Sequence, residues 1–247
     1  MLTIRADEPL AIAAVEAIQS GNVDALERLL NENPNLVTAR IRALSKNCGG
    51  AGTARSLLHI ATDWPGHFPN SGATVTALIA HGAEVNAPFI GPHTETPLHW
   101  CASSDDIEAL DALLDHGADI EAPGSVIGGG TPMADAVAFG QWQAARRLLE
   151  RGASTTLWQA AALGLMSRLE QLFASDPAPG PNDVTNAFWC ACHGGQRATA
   201  EYLLARGANI NWIGYDELTP VDAASRSGAA ELVEWLRSQG AKSATTG

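Results

Sequence analysis

Five times along this chain an apolar helix end runs into a Gly-Ala stop: residues 78–87 (LIAHGAEVNA), 113–122 (LLDHGADIEA), 148–156 (LLERGASTT), 203–211 (LLARGANIN) and 236–244 (LRSQGAKSA). The stop glycines, Gly82, Gly117, Gly152, Gly207 and Gly240, are spaced 35, 35, 55 and 33 residues apart. A helix that ends abruptly hands its last carbonyls to a residue in the left-handed conformation, which glycine adopts at least cost. A helix pair of this length cannot bury its apolar face alone, so a chain made of such units is obliged to stack them. The period therefore decides the fold class before any other feature does.

The 55-residue gap holds one further unit. Residues 158–173 (WQAAALGLMSRLEQLF) read as two short helices hinged at Gly164, closed by Leu172, Phe173 and residues 178–182 (APGPN) rather than by a Gly-Ala stop. At the front, residues 11–33 read as a helix, a Gly21-Asn22 turn and a second helix. Outer-helix anchors then fall at Leu29, Leu78, Leu113, Leu148, Leu172, Leu203 and Leu236, which makes seven units. Thr96-Pro97, Thr131-Pro132 and Thr219-Pro220 each set a capping hydroxyl before a proline at the first helical position.

Residues 96–99 (TPLH), 117–120 (GADI) and 207–211 (GANIN) carry a resemblance to the ankyrin repeat family, over roughly residues 10 to 243. The resemblance implies an all-α solenoid of about seven helix-turn-helix units with short turn fingers and a curved concave groove. The chain reads as a single domain, 1–247, with units near 10–40, 56–92, 94–129, 130–154, 155–182, 184–216 and 218–243. The last unit carries Glu234 and Leu236-Arg237 where inner units carry apolar pairs such as Leu113-Leu114, a polar finish suited to an end cap. His59 and His99 fall in the histidine slot of the TPLH motif, where the resemblance implies a structural hydrogen-bonding role.

Composition narrows the partners. Fifteen Lys and Arg against 27 Asp and Glu give a formal net charge of −12, which argues against nucleic acid, since phosphate binding depends on clustered cations. No apolar run approaches the length of a membrane span. Asp7, Glu8 and Glu16 interrupt the first apolar stretch, so it does not read as a secretory signal, and a cytoplasmic protein is expected. Cys101, Cys190 and Cys192 lie in helical apolar stretches and, with Cys48, are expected to be reduced. The sequence CACH at 190–193 lacks the spacing and the second ligand pair of a zinc site. No phosphate loop, nucleophile elbow or zincin motif is present. No metal and no cofactor are expected.

Four departures from a plain array carry the functional information. A Gly-rich loop at 42–55 and an extended turn at 64–72 (WPGHFPNSG), bearing Trp64 and Phe68, fall between the first helices. Tryptophans crowd the inner helices and fingers: Trp158 and Trp189 align with His99, Trp100 follows it, Trp64 ends an inner helix and Trp212 sits in a finger, leaving only Trp142 and Trp235 on outer helices. Such rings pack between repeats or line a pocket. Asp135 falls on an apolar helix position, where a carboxylate must find a partner or a cavity. Asp63, Asp105, His193 and Asp216 lie at helix ends or fingers, positions that the resemblance implies face ligands. Finally, the fingers at 88–95, 123–130 and 211–217 are long or apolar, whereas the connector before Trp158 is short.

Two functions follow. The first is a module, an adaptor or inhibitor, binding another protein through the concave groove, as the resemblance implies, with contacts at Asp63, Trp64, Phe89, Ser104, Asp105, Phe139, Trp189, His193, Trp212, Tyr215, Asp216 and Arg226; the acidic balance would suit a partner with a basic surface. The second is a small-molecule pocket walled by Trp64, Trp100, Trp158, Trp189 and Trp212. There Asp135 would act as base, and Asp63 or His193 as acid, in metal-free proton-transfer chemistry such as isomerisation, cyclisation or hydrolysis.

Overall fold

The Gly-Ala stops adopt the backbone that their spacing demands: φ is +101° at Gly82, +86° at Gly117, +97° at Gly152, +90° at Gly207 and +90° at Gly240. A computed structural model describes residues 2–43 and 52–244. Its contacts gather into two compact units, Met1–Ala153 and Ser154–Gly247.

The first unit runs β1 (Thr3–Arg5), α1 (Pro9–Gln19), α2 (Val23–Glu32), a 3₁₀ turn at Pro34–Leu36, β2 (Arg40–Arg42), β3 (Ala54–Arg55), α3 (Leu57–Ala61), α4 (Ser71–Ala80), α5 (Pro97–Ser104), α6 (Ile107–Asp115), α7 (Pro132–Ala138) and α8 (Trp142–Glu150). The inner helices α1, α3, α5 and α7 pack in sequence, as do the outer helices α2, α4, α6 and α8. The second unit continues with α9 (Leu157–Ala162), α10 (Met166–Phe173), α11 (Pro181–His193), α12 (Arg197–Leu204), α13 (Pro220–Arg226) and α14 (Ala230–Ser238). Here α9, α11 and α13 stack as inner helices, and α10 packs on α12.

Helix starts are fixed by caps. Ser56, Asn22 and Asp106 accept backbone N–H bonds from His59, Ala25 and Ala109. Thr96, Thr156 and Thr219 form reciprocal capping boxes with His99, Gln159 and Asp222. Alanine-rich inner helices let neighbours approach closely: Ala102, Ala136, Ala161, Ala191 and Ala223 are all fully enclosed.

Several expectations shift in detail. Leu78, Leu113, Leu148, Leu203 and Leu236 are completely buried, but Leu29 and Leu172 are only half-buried, and Leu30 and Leu169 fill the core instead. These two units lack a Gly-Ala stop, so counting back from the helix end fixes the buried face only to within a turn. Trp158 aligns with His99 when counted from the left-handed Gly164. Counted from the cap, Gln159 holds that slot, because the stretch from Thr156 to the left-handed Gly164 is one residue shorter than that from Thr96 to the left-handed Asp105. The helix expected near residue 184 begins at Pro181, so α11 is extended at its start. A three-stranded sheet, β1 parallel to β2 and β2 antiparallel to β3, adds to the all-α expectation. Its strands are too short to show an alternating pattern in sequence. Most of the Gly-rich 42–55 loop, including Cys48, lies outside the described residues.

The extended turn after α3 is fastened at both sides. Buried Asp106 accepts hydrogen bonds from the His67 N–H (2.8 Å) and the Ser71 hydroxyl (3.0 Å). Asn70 Nδ2 donates to the Gly21 carbonyl at 2.9 Å.

Candidate functional site

In the first unit the functional geometry begins with the histidines that close the helix caps. The Thr96 backbone N–H donates to His99 Nδ1 at 3.0 Å, so the ring proton sits on Nε2, which lies 3.3 Å from the Gly130 carbonyl. His59 plays a similar part in the preceding repeat, with Nδ1 2.7 Å from the Ser56 hydroxyl and Nε2 3.0 Å from the Glu95 carbonyl. Complete burial pushes the His59 pKa down to about 3, so the ring is neutral. Each histidine thus ties its own helix to the finger of the next repeat, the structural role the family resemblance implied.

Those ties deliver Glu95 to the base of the finger at 81–96. Its two oxygens accept from Trp100 Nε1 (2.9 Å) and from the Val126 N–H of the next finger (2.8 Å), and His93 Nδ1 lies 3.2 Å from Oε2. Phe89 stacks on His93, with ring centroids 4.5 Å apart, and meets Trp100 at 5.4 Å. Asp135, on α7, accepts the Ser125 hydroxyl through Oδ1 at 2.5 Å. No N–H or hydroxyl donor reaches Oδ2, whose electrostatic neighbour is the Glu95 carboxyl. Two carboxyls bond only when one carries a proton. Burial, with Glu95 beside it, raises the Asp135 pKa to about 8. At 1% exposed, Asp135 is enclosed, and the pair holds finger to helix.

The second unit secures its finger at 205–219 with rings and neutral hydrogen bonds beside one exposed ion pair, Asp216 with Arg226. Trp189, 3% exposed, donates through Nε1 to the Leu218 carbonyl at 2.8 Å. It stacks with His193 at 5.5 Å and meets Tyr215 edge-on at 5.1 Å. Trp212 stands perpendicular to Tyr215, whose hydroxyl donates to Asn186 Oδ1 at 3.0 Å. Gly214 lies wedged in this cluster: a Cβ there would come within 2.6 Å of the Trp212 ring and 2.9 Å of Trp189.

The sequence candidates therefore divide. Trp100 and Asp135 join the Glu95 cluster, while Trp189, His193, Trp212 and Tyr215 join the second-unit cluster. Trp64 is 80% exposed at the extended turn. Asp63 beside it pairs with Arg55 and accepts the Trp64 N–H at 3.0 Å; burial raises its pKa while Arg55 opposes the rise. Asp105 caps the neighbouring α8, accepting from the Ala144 N–H at 2.6 Å and from Gln143 at 3.1 Å. Asp216 pairs with Arg226 at 2.5 Å. Phe139 is exposed at the end of α7, Phe89 is buried, and Trp158 is half-buried on α9. Glu95 and Asn186 were not singled out from sequence because Val126 and Tyr215, their partners, lie 31 and 29 residues on; His93 and Ser125, whose partners are nearer, were not singled out either.

What remains exposed is selective. In the first unit the large exposed hydrophobics are Leu2, Ile12, Trp64, Ile90, Val126 and Phe139; in the second they are Ile213 and Tyr215. None lies on an outer helix. Outer helices carry ion pairs instead: Arg147 and Arg151 with Asp111, and Arg197 with Glu201. Beside the exposed finger residues stand exposed carboxylates, Glu84, Asp119 and Glu121 in the first unit and Asp216 and Glu217 in the second.

A family model for ankyrin repeats, in three copies, matches residues 58–157 and 157–246, so the chain belongs to the ankyrin repeat family. Among solved structures, it is similar to the human ASB11 ankyrin repeat domain, at 20% identity and a TM-score of 0.50, covering 93% of this chain and 97% of that one. That likeness speaks to fold alone. No curated protein matches the sequence. Ankyrin repeats are in general protein–protein interaction modules. Among the described residues, no helix is long and apolar enough to cross a membrane, and no group of three or more His, Cys, Asp or Glu is placed to hold a metal ion.

Proposed function

We propose that this protein is an adaptor that engages a partner protein through its fingers and inner-helix ends, taking a partner surface that is basic and partly apolar. The observation that carries this reading is that Trp64, Ile90, Val126, Phe139, Ile213 and Tyr215 stand exposed at those edges, with Leu2 and Ile12 exposed in the N-terminal segment and no large hydrophobic exposed on a described outer helix. Exposed apolar groups ringed by polar ones mark interaction surfaces. The carboxylates at the finger tips add a negative field that would hasten encounter with a cationic surface and weaken with salt.

The test is affinity capture from host lysate with the wild-type chain, Val126→Asp, Tyr215→Asp and, as an outer-face control, Arg197→Glu, each confirmed folded by circular dichroism. Loss of a stoichiometric protein partner in the finger variants, with retention in the control, is expected. Retention in both finger variants and loss in the control would move the interface to the outer face. A co-purifying metabolite with no protein would overturn the adaptor reading.

A further inference from the structure

We propose that Glu95 and Asp135 share a single proton and together form a latch between the two fingers of the first unit, so that loss of that proton frees the finger edge that carries Val126. This rests on the reading of those fingers as a docking edge and adds its regulation.

The latch is a geometric fact before it is an electrostatic one. Glu95 belongs to the finger at 81–96, and its carboxylate reaches forward to the Val126 N–H and back to Trp100 on α5. Asp135 belongs to α7, and through Ser125 it holds the finger at 116–131. Ser125 is itself bonded twice, since the Ile127 N–H donates to its oxygen at 2.8 Å. Four elements, two fingers and two inner helices, therefore converge on one carboxyl pair. Val126 and Ile90 stand exposed while the residues beneath them, Ser125, Phe89 and Glu95, are buried.

The hydrogen bonds around the pair call for one proton between the two carboxyls. Both Glu95 oxygens act as acceptors, toward N–H groups that cannot do otherwise. Asp135 Oδ1 takes the Ser125 hydroxyl. Its second oxygen, which no N–H or other hydroxyl reaches, is left for the proton shared with Glu95. Removing that proton leaves two like charges in an enclosed space, an arrangement relieved by parting the groups or admitting water. The elements that would part are the fingers, since the helices are held by their Ala-lined packing.

The charged and titratable groups that face the pair come from several elements. His93 on the same finger approaches Glu95. His99 on α5 interacts with both Glu95 and His93, and burial holds its pKa low. His59 on α3 contacts the Glu95 carbonyl and is neutral. Arg40 on β2 donates to the Pro88 carbonyl at 2.9 Å, and it acts on His59 together with Arg55 on β3. None of these contributes a direct bond to Asp135 Oδ2, so the shared proton is the group whose loss the fingers register.

The test needs no partner, which separates its failure from failure of the docking reading. Carbon-13 NMR of the aspartate carboxyls in the full-length wild-type chain, assigned by comparison with Asp135→Asn, would follow Asp135 directly. Amide hydrogen exchange, corrected for intrinsic rates, would follow the Val126 N–H. Expected are an Asp135 titration above neutrality and a fall of about tenfold or more in Val126 protection across that titration, with protection in Asp135→Asn independent of pH. Asparagine can accept from Ser125 and donate to Glu95, so this variant mimics the protonated latch. Glu95→Gln provides a second variant should Asp135→Asn fail to fold, and it should abolish the high Asp135 titration. An Asp135 carboxyl that titrates in the ordinary range, or Val126 protection that does not follow its titration, would overturn the proposal.

Discussion

The two units solve one problem by different chemistry. Each must fasten an extended finger to an inner helix. The first does so with buried carboxyls, Glu95 and Asp135, and neutral histidines; the second uses an indole N–H to a carbonyl, a tyrosine hydroxyl to an amide, and stacked rings. A neutral hydrogen bond between enclosed groups keeps its strength at any pH near neutrality, whereas a buried carboxyl pair is secure only while one proton stays. The difference teaches that finger rigidity in a repeat array is set unit by unit, and so is its response to conditions.

The largest effect that would break this comparison is in the second unit. Trp189→Ala removes a buried ring and its bond to Leu218, and a loss of about 3–5 kcal/mol is expected in denaturant unfolding. Hydrogen exchange should place the damage in α11 and the finger at 205–219. Damage confined to the first unit would show that the contrast is misdrawn.

Next comes the pH dependence. In the folded chain Asp135 holds its proton up to about 8, whereas in the unfolded chain an aspartate releases it near pH ~3.9. Between those values the folded state binds a proton that the unfolded state lacks. Stability on this account is therefore fully present below the lower value and falls as pH rises toward the upper one. Asp135→Asn should flatten that decline and raise stability at neutral pH by up to about 4 kcal/mol. Thermal unfolding at a series of pH values would decide it, and a variant that keeps the wild-type slope would remove the latch from the account.

A smaller effect tests the cap between repeats. Asp105→Ala should cost about 1 kcal/mol, through loss of the bond to the Ala144 N–H at the start of α8. If stability is unchanged while partner binding drops, Asp105 serves the interface after all. Smallest in stability is Ile213→Ser, expected to stay within ~0.5 kcal/mol of wild type because the side chain is exposed. The same variant should weaken a captured partner by tenfold or more if Ile213 anchors the interface.

Most of the architecture was legible in the sequence because its signals are local. A glycine stop, a Thr-Pro start and an apolar pair one turn inside each act within a few residues, and their recurrence fixes the phase of the array. Legibility failed where the local mark was missing. Without a stop, α2 hid its buried leucine by one residue and α10 by three; without a threonine-proline start, α11 hid its first turn. The candidate site was legible as residue types and illegible as partnerships. Asp135 stood out as a carboxylate on an apolar helix, but its companion Glu95 looks like any acid before a helix cap. What gives Glu95 its role is the Val126 N–H, 31 residues on. Asp63, Asp105 and Asp216 sit at exposed-looking helix ends and fingers, yet each has a partner inside its own unit.

The small sheet carries a consequence for the order in which the chain assembles. Helix pairs and their neighbours make contacts that close short loops, and such contacts form early and cheaply. Thr3, by contrast, pairs with Arg40, and Ala54 meets Ile90, each across a whole helix pair. These strands have nothing to pair with until α1 and α2, and then α3 and α4, have brought their partners near. The sheet should be the last element of the first unit to form and the first to open, so the onset of protection at the Ile41 amide during refolding would report completed folding rather than its start.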